Sequence, residues 1–160
     1  MVLAAGVLAA SVVDIRSRRI PNVVTGAMTG AGLGLAATGV SGMTLGLAAL
    51  GFLVGLGLML PGHMLGATGA GDVKLMAAIG ALVGPGLVIN AFLFTAVAGG
   101  VLALAVSVRR QRLAVTVAGT ARLITMPSDA RNELRGATAS SRFAYGPAIA
   151  VGSIIAALVG

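Results

Sequence analysis

The 160-residue sequence contains no cysteine, no tryptophan, one histidine and one tyrosine, and 9% of its residues are charged: 11 basic and 4 acidic side chains in all. Without cysteine there is no disulfide framework, no thiolate zinc or iron-sulfur site and no cysteine nucleophile. The lone His63 cannot build a multi-histidine metal site. A soluble domain covers itself with polar groups, typically about a quarter of its residues being charged. The scarcity of charge here therefore excludes an ordinary soluble fold. With 58% hydrophobic residues and a mean hydropathy of +1.04, lipid has to be the outer solvent. Aromatics make up only 3%, which leaves little bulk to line a large preformed ligand cavity. The isoelectric point near 11.8 would point to nucleic acid in a soluble protein. In a membrane chain, basic charge orients helices and touches anionic head groups, so the expected partner is the bilayer and not nucleic acid.

A bilayer core about 30 Å thick needs about 20 apolar residues per helical crossing. The stretches between polar breaks predict an all-α, polytopic membrane helix bundle of about six spans in a single domain covering 1–160. Val2 to Val13 is the first, ending in the polar run Asp14-Ile15-Arg16-Ser17-Arg18-Arg19. It is short for a crossing, which is met if the start lies upstream of Met1 or if the helix continues past Asp14 with Arg16 and Arg18 snorkelling. Pro21 and Asn22 open the second, Asn22 to Thr38, as an early proline and a residue able to cap free N–H groups. Gly39 to Gly42 is a turn, Met43 to Leu60 the third span, and Pro61 to Gly71 a glycine-rich loop that no long helix should cross. The fourth runs from Asp72 to about Val83, breaks at Gly84-Pro85-Gly86, and is followed by Leu87 to Val108. A polar segment, 109–142, precedes the last span, Phe143 to Val159. Threaded in order, these spans put all 11 basic residues on one side. The positive-inside rule makes that side cytoplasmic and both termini external. The stripes Gly26/Gly30/Gly34, Gly42/Gly46 and Gly51/Gly55 are expected to let helices pack closely.

Of the four acids, Asp129 and Glu133 fall in the polar segment, where solvated charge needs no explanation. Asp14 and Asp72 lie at the cytoplasmic ends of apolar spans, where an ionised carboxylate costs about 2.5 kcal/mol or more. Each could pair with a neighbouring base, Asp14 with Arg18 and Asp72 with Lys74. Asp72 also closes the run Gly69-Ala70-Gly71-Asp72, whose glycines permit a sharp turn into a helix start. The free N–H groups there favour a carboxylate in its anionic form. If the two aspartates face each other, one can hold a proton while the other activates water, which is aspartic-protease chemistry.

Three ordered runs, Asp14 to Asn22, Gly69-Ala70-Gly71-Asp72-Val73-Lys74-Leu75, and Arg142-Phe143-Ala144-Tyr145-Gly146-Pro147-Ala148, resemble the type IV prepilin peptidases. These are membrane aspartic proteases of the GxGD class, and the likeness is to the short form associated with Flp/Tad pili. The resemblance implies that Asp14 and Asp72 are the catalytic pair, with Gly69 and Gly71 as supporting loop and Lys74, Pro21 and Asn22 as dyad neighbours. It implies a plasma-membrane (inner-membrane) enzyme that clips a short basic leader from a prepilin at the cytoplasmic face. The longer members of the family add paired cysteines and, in many, N-methylation. Here the expectation is proteolysis without methyl transfer, with no S-adenosylmethionine, zinc or other cofactor.

The remaining features have plainer readings. His63 is expected as a solvated loop histidine, with substrate positioning as its alternative role. The 109–142 segment has near-helical apolar spacing at Leu113, Val117, Ala121 and Ile124. It reads as an amphipathic surface helix or a loop, where pilus assembly proteins are candidate partners. Phe143 and Tyr145 read as interfacial anchors. Two other functions use the same residues: a small proton-coupled transporter with the aspartates as ion ligands, and a non-catalytic pilus-assembly scaffold. The first would need charges near the midplane and inverted-repeat symmetry, and the outer half of the bundle has no ionisable residue.

Overall fold

The computed structural model describes residues 2–17, 20–65, 68–109 and 146–159. They form five α-helices: α1 (Val2–Ser17), α2 (Asn22–Ala37), α3 (Leu45–Met64), α4 (Ala70–Arg109) and α5 (Gly146–Val159). The 109–142 reading beyond Arg109, the Phe143 and Tyr145 anchors, and any pairing of Asp14 with Arg18 lie outside the described residues. The regular structure of the described residues is all helical. Two stretches, α3 and residues Ala70–Leu102 of α4, are each long and apolar enough to cross a bilayer. The outward faces agree, with Leu53 61% and Val97 66% exposed, as expected where the surrounding solvent is lipid.

The helix ends obey local chemistry, with some departures from the spans expected by hydropathy. α1 does continue past Asp14, reaching Ser17. Pro21 precedes α2 in an extended conformation, its carbonyl accepting from Val24 and Thr25 N–H, but Asn22 makes no cap: its side chain is used elsewhere. α2 ends where Gly39 and Gly42 take positive φ values of 74° and 67° to turn the chain. The Thr44 hydroxyl accepts from Leu47 N–H at 3.3 Å and starts α3. α3 runs through Pro61-Gly62-His63 to Met64, one turn into the expected loop. Proline withdraws one hydrogen bond there, but Leu65 N–H still closes the last turn on the Pro61 carbonyl.

α4 is the central element. Its residues 75–81 are buried without a break, so it reads as a helix covered on nearly all sides. Gly51 and Gly80 set its approach to α3: a Cβ on either would strike the carbonyl of the other. Gly55 lies in the same way against Met76 backbone, and Gly32 of α2 against Ala81. The Gly26/Gly30/Gly34 stripe does not pack as expected; a Cβ at any of the three meets nothing within 4 Å. The inward stripe of α2 is instead Thr25, Met28, Gly32 and Ala36.

The break read at Gly84-Pro85-Gly86 is present as a non-helical Gly84, φ 83° and ψ 176°, inside the helical run. Beyond it the second limb of α4 turns back. α5 begins with Gly146 on Asp14, and its Gly152 packs against Thr95 of α4. Asp14 and Asp72 lie within electrostatic range of each other. An unbroken helix from 72 to 95 would put Thr95 about 35 Å from Asp72, while Gly152 is only about 9 Å along α5 from Gly146. Both contacts hold only if the second limb of α4 returns beside the first.

Candidate active site

Asp72 owes its position to how α4 starts. The Gly69 carbonyl accepts the first helical bonds, from Asp72 N–H at 3.1 Å and Val73 N–H at 3.3 Å, so Gly69 is the N-cap residue and Asp72 the third helical residue. From there the Asp72 carboxylate reaches back, and its Oδ2 accepts from Gly69 N–H at 3.0 Å. This is the acidic half of a capping box. It holds a side chain that is only 8% exposed in one orientation, using a donor the helix start would otherwise leave free. Gly71 faces Ile20, whose Cβ would lie 3.1 Å from a Cβ at that position. The glycine thus lets the chain between α1 and α2 close directly onto the start of α4.

Asp14 sits one turn before the end of α1 and is 6% exposed. Its Oδ2 accepts from Gly146 N–H at 2.9 Å, in a buried bond joining residues 132 positions apart. The donor is at the first residue of α5, where unpaired N–H groups and the helix dipole both favour a carboxylate. A side chain at 146 could not be accommodated, because its Cβ would fall 2.7 Å from Asp14 Oδ2 and 2.9 Å from Asp14 Cβ. Each aspartate therefore rests on a helix N-terminus through one oxygen. Asp14 and His63 both act electrostatically on Asp72. His63 stands on the last turn of α3, exposed, with Nδ1 3.0 Å from the Thr68 carbonyl.

Asn22 and Lys74 are elsewhere. Lys74 Nζ donates to Asn22 Oδ1 at 2.9 Å, tying the start of α2 to α4. Two positions along a helix are about 200° apart, so Lys74 leaves α4 on the face opposite Asp72. It lines an open groove of about 320 Å³ with Asn22, Thr25, Thr29, Phe52 and Leu56, to which neither aspartate contributes. Pro21 is half-buried at the head of α2. Asp14, Asp72, Gly69 and Gly71 are thus brought to one place, while Asn22 and Lys74 form a separate strut behind α4. Gly146 and Ile20 complete the first group, and the reading of the sequence assigned them no role. The signal for Gly146 was its place at the opening of the last apolar run, ahead of Pro147. Among the described residues no three His, Asp or Glu side chains cluster as a metal ion would require.

Two buried carboxylates in mutual range, each with one oxygen held by a backbone N–H, can divide protonated and ionised roles between them. Such a pair can take a proton from water and return one to a leaving group. A family model described as the type IV leader peptidase family matches residues 1–104, a stretch that includes both aspartates and ends within α4. No curated protein and no solved structure matches the chain.

Proposed function

Since the chain belongs to the type IV leader peptidase family, we propose that it is an aspartic endopeptidase of the membrane, with Asp14 and Asp72 as its catalytic pair. The observation that carries this is the convergence of two carboxylates from α1 and α4 in one buried place, each already anchored through a single oxygen. In the reaction the ionised member takes a proton from water as the water oxygen bonds to the scissile carbonyl carbon. The protonated member supports the carbonyl oxygen as negative charge develops there. Collapse of the tetrahedral species breaks the C–N bond, and the departing nitrogen takes a proton from the pair. One water is consumed and the dyad returns to its singly protonated state.

The substrate class is a prepilin of the Flp/Tad type, a short basic leader ahead of an apolar helix that lies in the bilayer. The enzyme is a multi-pass protein of the inner membrane with six spans, both termini outside and the dyad at the cytoplasmic face. The placement of all 11 basic residues on one side of that topology supports this orientation. Gly69, Gly71 and Gly146 serve as the close-packed supports of the pair. Lys74, with Asn22 and Pro21, braces α2 against α4.

The test is co-expression with a prepilin bearing such a leader, with its reduction in size in membranes as the readout. Asp14→Asn and Asp72→Asn each lower cleavage by about 10³-fold or more while leaving the protein in the membrane. Cleavage at the parent rate by either variant would remove that residue from the chemistry.

A further inference from the structure

Ahead of α4, two contacts meet at the peptide unit that joins Thr68 to Gly69, and a third holds Thr68 from its other side. Thr68 N–H donates to the Gly62 carbonyl at 3.3 Å, His63 Nδ1 lies 3.0 Å from the Thr68 carbonyl oxygen, and Gly69 N–H donates to Asp72 Oδ2 at 3.0 Å. The Thr68 carbonyl and the Gly69 N–H belong to the same planar group, so whatever fixes the direction of one fixes the other. A carbonyl oxygen only accepts, and the ring nitrogen facing it therefore bears the hydrogen. Donation to the carbonyl draws electron density through the amide and makes its N–H a stronger donor.

We propose, building on the peptidase reading, that His63 is a positioning residue for the Asp72 carboxylate. Donation from its Nδ1 to the Thr68 carbonyl holds and polarises the 68–69 peptide, and the N–H of that peptide fixes Asp72 Oδ2. His63 does not touch the reacting atoms. It acts through the 68–69 peptide, on the Asp72 oxygen that the Gly69 N–H holds. Its exposure accords with this, because an exposed ring at a helix end fills no core space whose loss would explain an effect of substitution. The ring also lies close enough to act on Asp72 electrostatically, which places the two groups in one neighbourhood.

Asparagine and glutamine separate this role from a general one, since the asparagine amide nitrogen can occupy the place of Nδ1 whereas that of glutamine reaches the place of Nε2. The assay uses the purified full chain in detergent and a synthetic peptide with a lysine-rich leader joined to an apolar helical segment. His63→Ala lowers kcat about three- to tenfold with KM little changed, His63→Asn restores it, and His63→Gln does not. In parallel, the Gly69 amide proton resonates downfield in the parent and in His63→Asn and moves upfield in His63→Ala. Parent-level kcat with an unmoved Gly69 resonance in His63→Ala would overturn the proposal, as would rescue by glutamine equal to that by asparagine. Asp72→Asn keeps the two readings apart: undiminished cleavage there defeats the peptidase assignment, while the Gly69 resonance still reports on the His63 contact.

Discussion

At the scale of single residues, the placement of Asp14 depends on an atom that is missing. Gly146 lends its N–H to the Asp14 carboxylate because it has no Cβ. Gly146→Ala would place a methyl carbon against both Asp14 Oδ2 and Asp14 Cβ, so the carboxylate or the start of α5 has to move. A buried hydrogen bond to a charged group contributes about 1.5–3 kcal/mol. The expected outcome is a fall in leader cleavage of about tenfold or more, read in the prepilin size assay. Parent-level activity would show that this bond does not position the aspartate. Asp14 and Asp72 stood out as candidates in the sequence, because a carboxylate at the end of an apolar run is costly wherever it lies. The partners were not. Gly146 is 132 positions from Asp14 and Asn22 is 52 from Lys74, and no local pattern registers contacts at such separations. The opposite faces of Asp72 and Lys74 are implied by helical spacing alone, yet membership of one motif had grouped them.

At the scale of helices, hydrophobic runs located each element, but the ends moved with the capping chemistry. α3 gained a turn beyond Pro61 and so brought His63 onto a helix, and α4 began two residues before Asp72, making the aspartate a capping side chain. Glycine spacing misled in α2 for a definite reason. Several stripes of small residues share a glycine-rich helix, and only the neighbouring helix decides which one faces inward. Two substitutions separate the kinds of glycine. At Gly80, Ala would drive a methyl into the Gly51 carbonyl and cost about 1–3 kcal/mol, as overpacking does. At Gly30, where a Cβ meets nothing within 4 Å, Ala would stabilise α2 by about 0.5–1 kcal/mol through its helix preference. Thermal unfolding in detergent should therefore shift in opposite directions, and equal shifts would contradict the packing of α4 on α3.

At the scale of the whole molecule, the reading of a cytoplasmic dyad reduces to which ends of the helices lie together. α3 is 20 residues long, about 30 Å, long enough to set its two ends on opposite sides of a hydrocarbon layer. Gly84 stands beside Met43, whose Sδ would be 2.8 Å from a Cβ at that position. The turn between α2 and α3 therefore lies at the same end of the bundle as the bend of α4, and Met64 lies at the other end with Asp72. Because the chain has no cysteine, single introduced cysteines report on this arrangement without background. Ser41→Cys, Gly86→Cys and Met64→Cys all lie at exposed positions. In intact cells a membrane-impermeant maleimide should label the first two, and the third only after permeabilisation. Labelling of Met64→Cys alone would put the aspartates outside, where a basic leader held in the cytoplasm cannot reach them. Labelling of Ser41→Cys without Gly86→Cys would mean that α4 does not fold back at Gly84 and that the six-span count is wrong.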